Sequence, residues 1–116
     1  MHSHLTNLHQ IARRTGLDVH QQEVKTEYHV GLCGPMRGTL WVVPRETDGT
    51  FRVSPRGQQW ETPVRQYLEQ AIGHPEDMSK GSSGAPRWRT DDWSVVLRAA
   101  EIMAETQGVG KCSITT

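Results

Sequence analysis

Leu5, Leu8, Ile11 and Ala12 recur every three to four positions, the spacing that lines one face of a helix. Ser3 stands before the run as a candidate N-cap and Gly16 after it as a left-handed stop, so a helix is predicted over residues 4–15. From Glu23 the period changes to two. Val24, Thr26, Tyr28, Val30 and Leu32 fall on one side of an extended chain and Glu23, Lys25, Glu27 and His29 on the other, which predicts a half-solvated strand. The stretch IARRTGLDVHQQEV, residues 11–24, thus reads as an amphipathic helix running into a strand. A helix-turn-helix would need apolar anchors where Gln22 and Lys25 stand.

GPMRG at 34–38 and ETDG at 46–49 are turn sequences, and they set off TLWVVP and TFRVS as two further strands of an antiparallel meander. A first turn symmetric about Met36 pairs Leu32 with Leu40 and Val30 with Val42. A four-residue second loop pairs Val42 with Val53 and Pro44 with Phe51. A first loop one residue longer or shorter turns Trp41 and Val43 toward the core instead, and a bulge near Pro44 is a further way to join the two registers. In the symmetric register Trp41, Val43, Arg45 and Arg52 share the sheet's second face, an aromatic and aliphatic patch edged with guanidinium groups. The plain alternative is that a terminal helix covers that face.

Thr62 and Pro63 read as an N-cap and first-turn pair for a helix whose stripe is Val64, Tyr67, Leu68, Ala71 and Ile72, stopped by Gly73 and Pro75. SKGSSGAP at 79–86 is small and polar, and a mobile loop is expected at 76–87. Thr90 caps a last helix with Asp91 and Asp92 in its first turn. Its buried stripe is Trp93, Val96, Leu97, Ala100, Met103 and Ala104, and Gly108 ends it. The expected fold class is α+β: an N-terminal helix, a three-stranded antiparallel meander, then two helices packed on the sheet, in a single domain over 1–116 with frayed termini. Helix, meander, helix is also the element order of double-stranded RNA-binding domains. The second helix here opens ETPVRQYLEQ, with Arg65 its one cation in place of a lysine-rich start, so the likeness stops at element order.

A chain of 116 residues has room for one core. Its apolar fraction is 34%, which is low, but four tryptophans supply large burial area and argue for a folded chain. Thirteen Lys and Arg balance thirteen Asp and Glu, so no global field draws the molecule to nucleic acid or to an anionic membrane. No apolar run is long enough to span a bilayer, and MHSHLTNLHQ lacks the layout of a signal peptide, from which a cytoplasmic location is expected. Cys33 and Cys112 lack Cys-x-x-Cys spacing. Reduced thiols are expected, a single long-range disulfide being the alternative.

Six histidines make no metal-ligating pattern, and no cofactor loop is present, GVGK at 108–111 being too short for a phosphate loop. Cys33 with His29 is the best nucleophile and base, but four strand positions hold their Cα atoms roughly 13 Å apart. By elimination the sequence points to a protein-binding module, an inhibitor, immunity-type or accessory factor, whose partner is another protein or a second copy of itself. Trp41, Arg45, Arg52, Trp60, Trp88 and Trp93 are its interface candidates. Nucleic-acid binding through Arg37, Arg45, Arg52, Arg56, Arg65, Arg87 and Arg89 is one alternative, and a small enzyme using Cys33 is another.

Overall fold

The computed structural model of the chain describes residues 2–24, 27–45, 48–57, 59–76 and 86–109. Its elements are α1 (His2–Thr15), β1 (Asp18–Val24), β2 (Glu27–Cys33), β3 (Gly38–Pro44), β4 (Phe51–Gly57), α2 (Glu61–Ala71), β5 (Trp88–Thr90) and α3 (Trp93–Gln107). The strands form one five-stranded sheet in the order β1-β2-β3-β4-β5, every neighbouring pair antiparallel. The α+β class holds, but the three-stranded meander is corrected to five strands. A short fifth strand also separates the two C-terminal helices.

The added strand at the start comes from the opening stretch. Thr15 closes α1 by donating from Oγ1 to the Ile11 carbonyl at 2.7 Å, Gly16 takes φ +82, and the chain enters β1 two residues later. Helix into strand is therefore what residues 11–24 do. The single strand expected over 23–32 is instead parts of two, because Val24 pairs with Glu27 and Asp18 with Cys33. That hairpin puts Val24 in register with Glu27, so Val24 leaves the row to which Val30 and Leu32 belong. β1 is polar because it is the sheet's edge; among its described side chains, Val19, opposite Leu32, packs against the core.

The two meander registers are both satisfied. Leu32 pairs with Leu40, and the β3–β4 ladder runs unbroken from Gly38 opposite Gly57, through Val42 opposite Val53, to Pro44 opposite Phe51. Leu32, Leu40, Val42 and Val53 are fully shielded from solvent and meet Leu8 and Ile11 of α1, Val64 and Leu68 of α2, and Val96 and Met103 of α3 in one cluster. All three helices thus feed the same face of the sheet.

The helix ends differ from expectation. Trp60, not Thr62, is the N-cap of α2 and offers no side-chain bond; Glu61 Oε1 instead accepts from the Gly57 amide at 2.9 Å. At α3 the cap is Asp92, accepting from the Ser94 amide at 2.9 Å, while Thr90 closes β5. Gly108 ends α3 in the left-handed conformation as expected. The buried stripe of α3 is turned toward Val95 and Ala99, which leaves Trp93 and Leu97 only partly covered. Most of the loop expected at 76–87 lies outside the described residues. Its ends are bridged, Glu76 N donating to the Arg87 carbonyl at 2.6 Å. The C-terminal tail, with Cys112, also lies outside the described residues. Among the described residues, no helix is long and apolar enough to cross a membrane.

Candidate functional site

Alternation along β3 places Trp41 and Val43 opposite the helices, and neither belongs to the core cluster. Trp41 stands in a cross-strand row: His20 pairs with Gly31, Gly31 with Trp41, and Trp41 with Ser54. Gly31 and Ser54 are the smallest members of that row, and both are buried. It leans toward β1 and β2, with its ring centroid 5.5 Å from His20 and 6.1 Å from His29. Gly31 is required where it stands. A Cβ there would come within 2.7 Å of the Leu40 carbonyl oxygen and of Thr39 Cγ2, closer than such atoms pack.

The far end of the same face is ionic. Arg89, opposite Arg52 across β4 and β5, is clasped by Glu76 through Nε at 2.7 Å and Nη2 at 3.2 Å, and its Nη1 donates to Thr50 Oγ1 at 3.1 Å. The Arg89 hydrogen bond holds the Glu76 carboxyl below its ordinary value against the opposing effect of burial, and Arg45 and Arg52 add to the lowering. Beside it Arg45 donates to Asp48 at 3.2 Å in the β3–β4 turn. Asp48 is held down to about 2, first by the Thr50 hydroxyl and amide and then by Arg45.

Of the sequence-predicted interface residues, Trp41, Arg45 and Arg52 therefore share the helix-free face. Trp60 and Trp88 do not: both are buried, and their indole N–H groups donate at 2.9 Å to the carbonyls of Arg37 and Gly73. They serve the core. Trp93 is half-buried on the helical side, 4.4 Å from the Phe51 ring centroid and 5.1 Å from that of His4. With Leu97 it walls an open groove of about 190 Å³ between α1 and α3, whose floor includes Ile11 and whose rim carries Asn7, Gln10 and Arg14.

The arginines of the nucleic-acid alternative are scattered and partly engaged. Arg45, Arg65 and Arg89 hold Asp48, Glu61 and Glu76, Arg37 lies exposed in the β2–β3 turn, and Arg52, Arg56 and Arg87 are half-buried. The pair Cys33 and His29 is not brought together, since the two lie four positions apart on β2. Burial pushes the Cys33 thiol up, and the facing Asp18 carboxylate adds to this, so less thiolate is present near neutral pH. Among the described residues no group of three or more His, Cys, Asp or Glu is placed to hold a metal ion.

Sequence reasoning did not find His20, Gly31, Ser54 or Glu76 for this face. His20 joins it through β1 and Glu76 through the bridge to Arg87, and neither pairing carries a local apolar signal; Gly31 and Ser54 join it by pairing with Trp41. No protein-family model, curated protein or solved structure matches the chain.

Proposed function

We propose that the chain is a small protein-binding module, in the manner of an inhibitor, immunity-type or accessory factor, which presents the Trp41 face of its sheet to a partner. The observation that carries this reading is the position of Trp41: half-exposed, outside the core, and on the sheet face to which the described helices contribute nothing. Tryptophan and arginine are the side chains most enriched where binding energy concentrates at interfaces, because they bring large area together with a polar handle. Trp41 has Arg45 and Arg52 on the same face. A second copy of the chain is one form such a partner takes.

The test is affinity capture from a lysate of the source organism, run in parallel with the wild-type protein and Trp41→Ala, with the solution mass of both measured by light scattering. A stoichiometric protein, or a dimer, that the wild type holds and Trp41→Ala loses is the expected result. Equal capture by the two proteins overturns the reading. So does an eluate whose bound material is nuclease-sensitive nucleic acid alone.

A further inference from the structure

Resting on that reading, we infer the chemistry of the partner: the helix-free face takes an acidic segment of another protein, an apolar side chain set against Trp41 and carboxylates reaching Arg56 and Arg87. The chain is neutral overall, but arginine exceeds acid on the helix-free face. Among the described side chains, the helix-free face and its rim carry Arg45, Arg52, Arg56, Arg87 and Arg89 against Asp18, Asp48 and Glu76. The helices show no such excess, with Arg13, Arg14, Arg65 and Arg98 against Glu61, Glu69, Glu101 and Glu105. A partner approaching the sheet meets a local positive field that the net charge conceals.

The face also displays the recognition mode on itself. Glu76 is gripped bidentately by Arg89, with Arg45 and Arg52 close enough to lower its carboxyl further. Forked guanidinium groups match planar carboxylates in this way. Arg56 and Arg87 stand on the same face, in register with Thr39 and next to Arg89 respectively, and neither has an ion-pair partner among the described residues. They lie on the β4–β5 side of Trp41, while His20 and His29 flank the indole from the β1–β2 side. A segment laid across the strands therefore meets an aromatic anchor first and guanidinium groups beyond it. Phosphate-rich nucleic acid suits the face less well. Asp48 and Glu76 sit on its rim, and it offers one tryptophan in place of a series of stacking platforms.

The inference is tested by fluorescence anisotropy with three labelled probes: a short glutamate peptide with a central leucine, the same peptide with lysine for glutamate, and an oligothymidylate of equal charge. The wild-type protein is expected to bind the glutamate peptide at low salt and not the lysine peptide. The double variant Arg56→Glu/Arg87→Glu is expected to weaken that binding by about tenfold or more. Circular dichroism and thermal melting establish that each variant is folded, with Arg56→Gln/Arg87→Gln as the milder pair. Absence of glutamate-peptide binding, indifference to the arginine variants, or equal binding of the lysine peptide overturns the inference. Tighter binding of the oligothymidylate overturns it in favour of nucleic acid. The lysate capture separates the two readings: a protein lost by Trp41→Ala but kept by the arginine variants overturns the acidic partner alone, whereas one kept by all variants overturns both.

Discussion

The indole N–H of Trp60 donates to the carbonyl oxygen of Arg37 at 2.9 Å, which ties the start of α2 to the β2–β3 turn. Trp60 is fully buried, and its ring occupies the space that a side chain at Gly57 would need. Trp60→Phe keeps most of the packing and leaves the Arg37 carbonyl without its partner, for an expected loss of about 1–2 kcal/mol. Trp60→Ala adds a cavity and is expected to lose about 3–5 kcal/mol. Urea denaturation of the two variants checks the order, and unchanged stability in Trp60→Phe would show that the hydrogen bond contributes nothing.

Gly31→Ala is expected to destabilise the fold by about 1–3 kcal/mol, because the new methyl group meets the β3 backbone, which has no rotamer with which to yield. The same substitution crowds the row that holds Trp41. Near-ultraviolet circular dichroism should change along with the melting temperature, and an unaltered spectrum in a destabilised protein would separate the two effects.

His4 anchors the first turn of α1. Its Nε2 donates to the Val42 carbonyl at 3.0 Å, and its ring lies against Trp93 and Phe51. Burial holds the imidazole below its ordinary value, the Val42 bond partly opposing this and the N-terminal charge adding to it. As pH falls, the unfolded chain takes up this proton before the folded one does. The stabilisation is therefore complete above about pH 6.5 and is lost as pH falls through and below that value. The urea midpoint of the wild type is expected to drop more between about pH 7.5 and pH 5.5 than that of His4→Gln, the remaining histidines being common to both. Parallel drops would contradict the assignment.

With Cys112→Ser as background, Cys33 is expected to react with iodoacetamide near neutral pH more slowly than a free model thiol, since both burial and Asp18 disfavour its thiolate. Asp18→Asn should speed the reaction modestly. A thiol faster than the model compound would return Cys33 to consideration as a nucleophile.

The parts of this fold that could be read from sequence are those where side-chain period and turn chemistry agree. Leu32 against Leu40 and Val42 against Val53 follow from apolar alternation on either side of two glycine-containing turns, and the Val64 and Leu68 stripe follows from helical spacing. β1 was illegible for a physical reason. An edge strand needs few apolar side chains, and DVHQQEV has one residue packed on the core among those described, so its periodicity is silent. Its hairpin to β2 also lacks the Asn-Gly or Asp-Gly pair that marks a tight turn. β5 is three residues long, below the length at which alternation has meaning, and Trp88 reads equally well as an exposed anchor or a core residue until Val53 is placed opposite it. The caps expected at Thr62 and Thr90 each lie two residues from the true ones, because Trp60 offers no side-chain cap to read and Thr90 carries the same kind of capping oxygen as Asp92. For the site, Trp41, Arg45 and Arg52 were legible from β3 and β4 alone, while His20 and Glu76 depend on pairings made at the two edges of the sheet.

Strand order that copies chain order also has a kinetic meaning. The pairings β1–β2, β2–β3 and β3–β4 each close a short loop, and little chain entropy opposes them. Only β4–β5 spans α2 and the segment after it. Trp88, bonded to Gly73 at the end of α2, is thus expected to dock late, so that Trp88→Phe accelerates unfolding and leaves the refolding rate nearly unchanged in stopped-flow measurements. The row from His20 to Ser54 needs only the early strands, so Trp41 takes its place before β5 brings Arg87 and Arg89 to the same face.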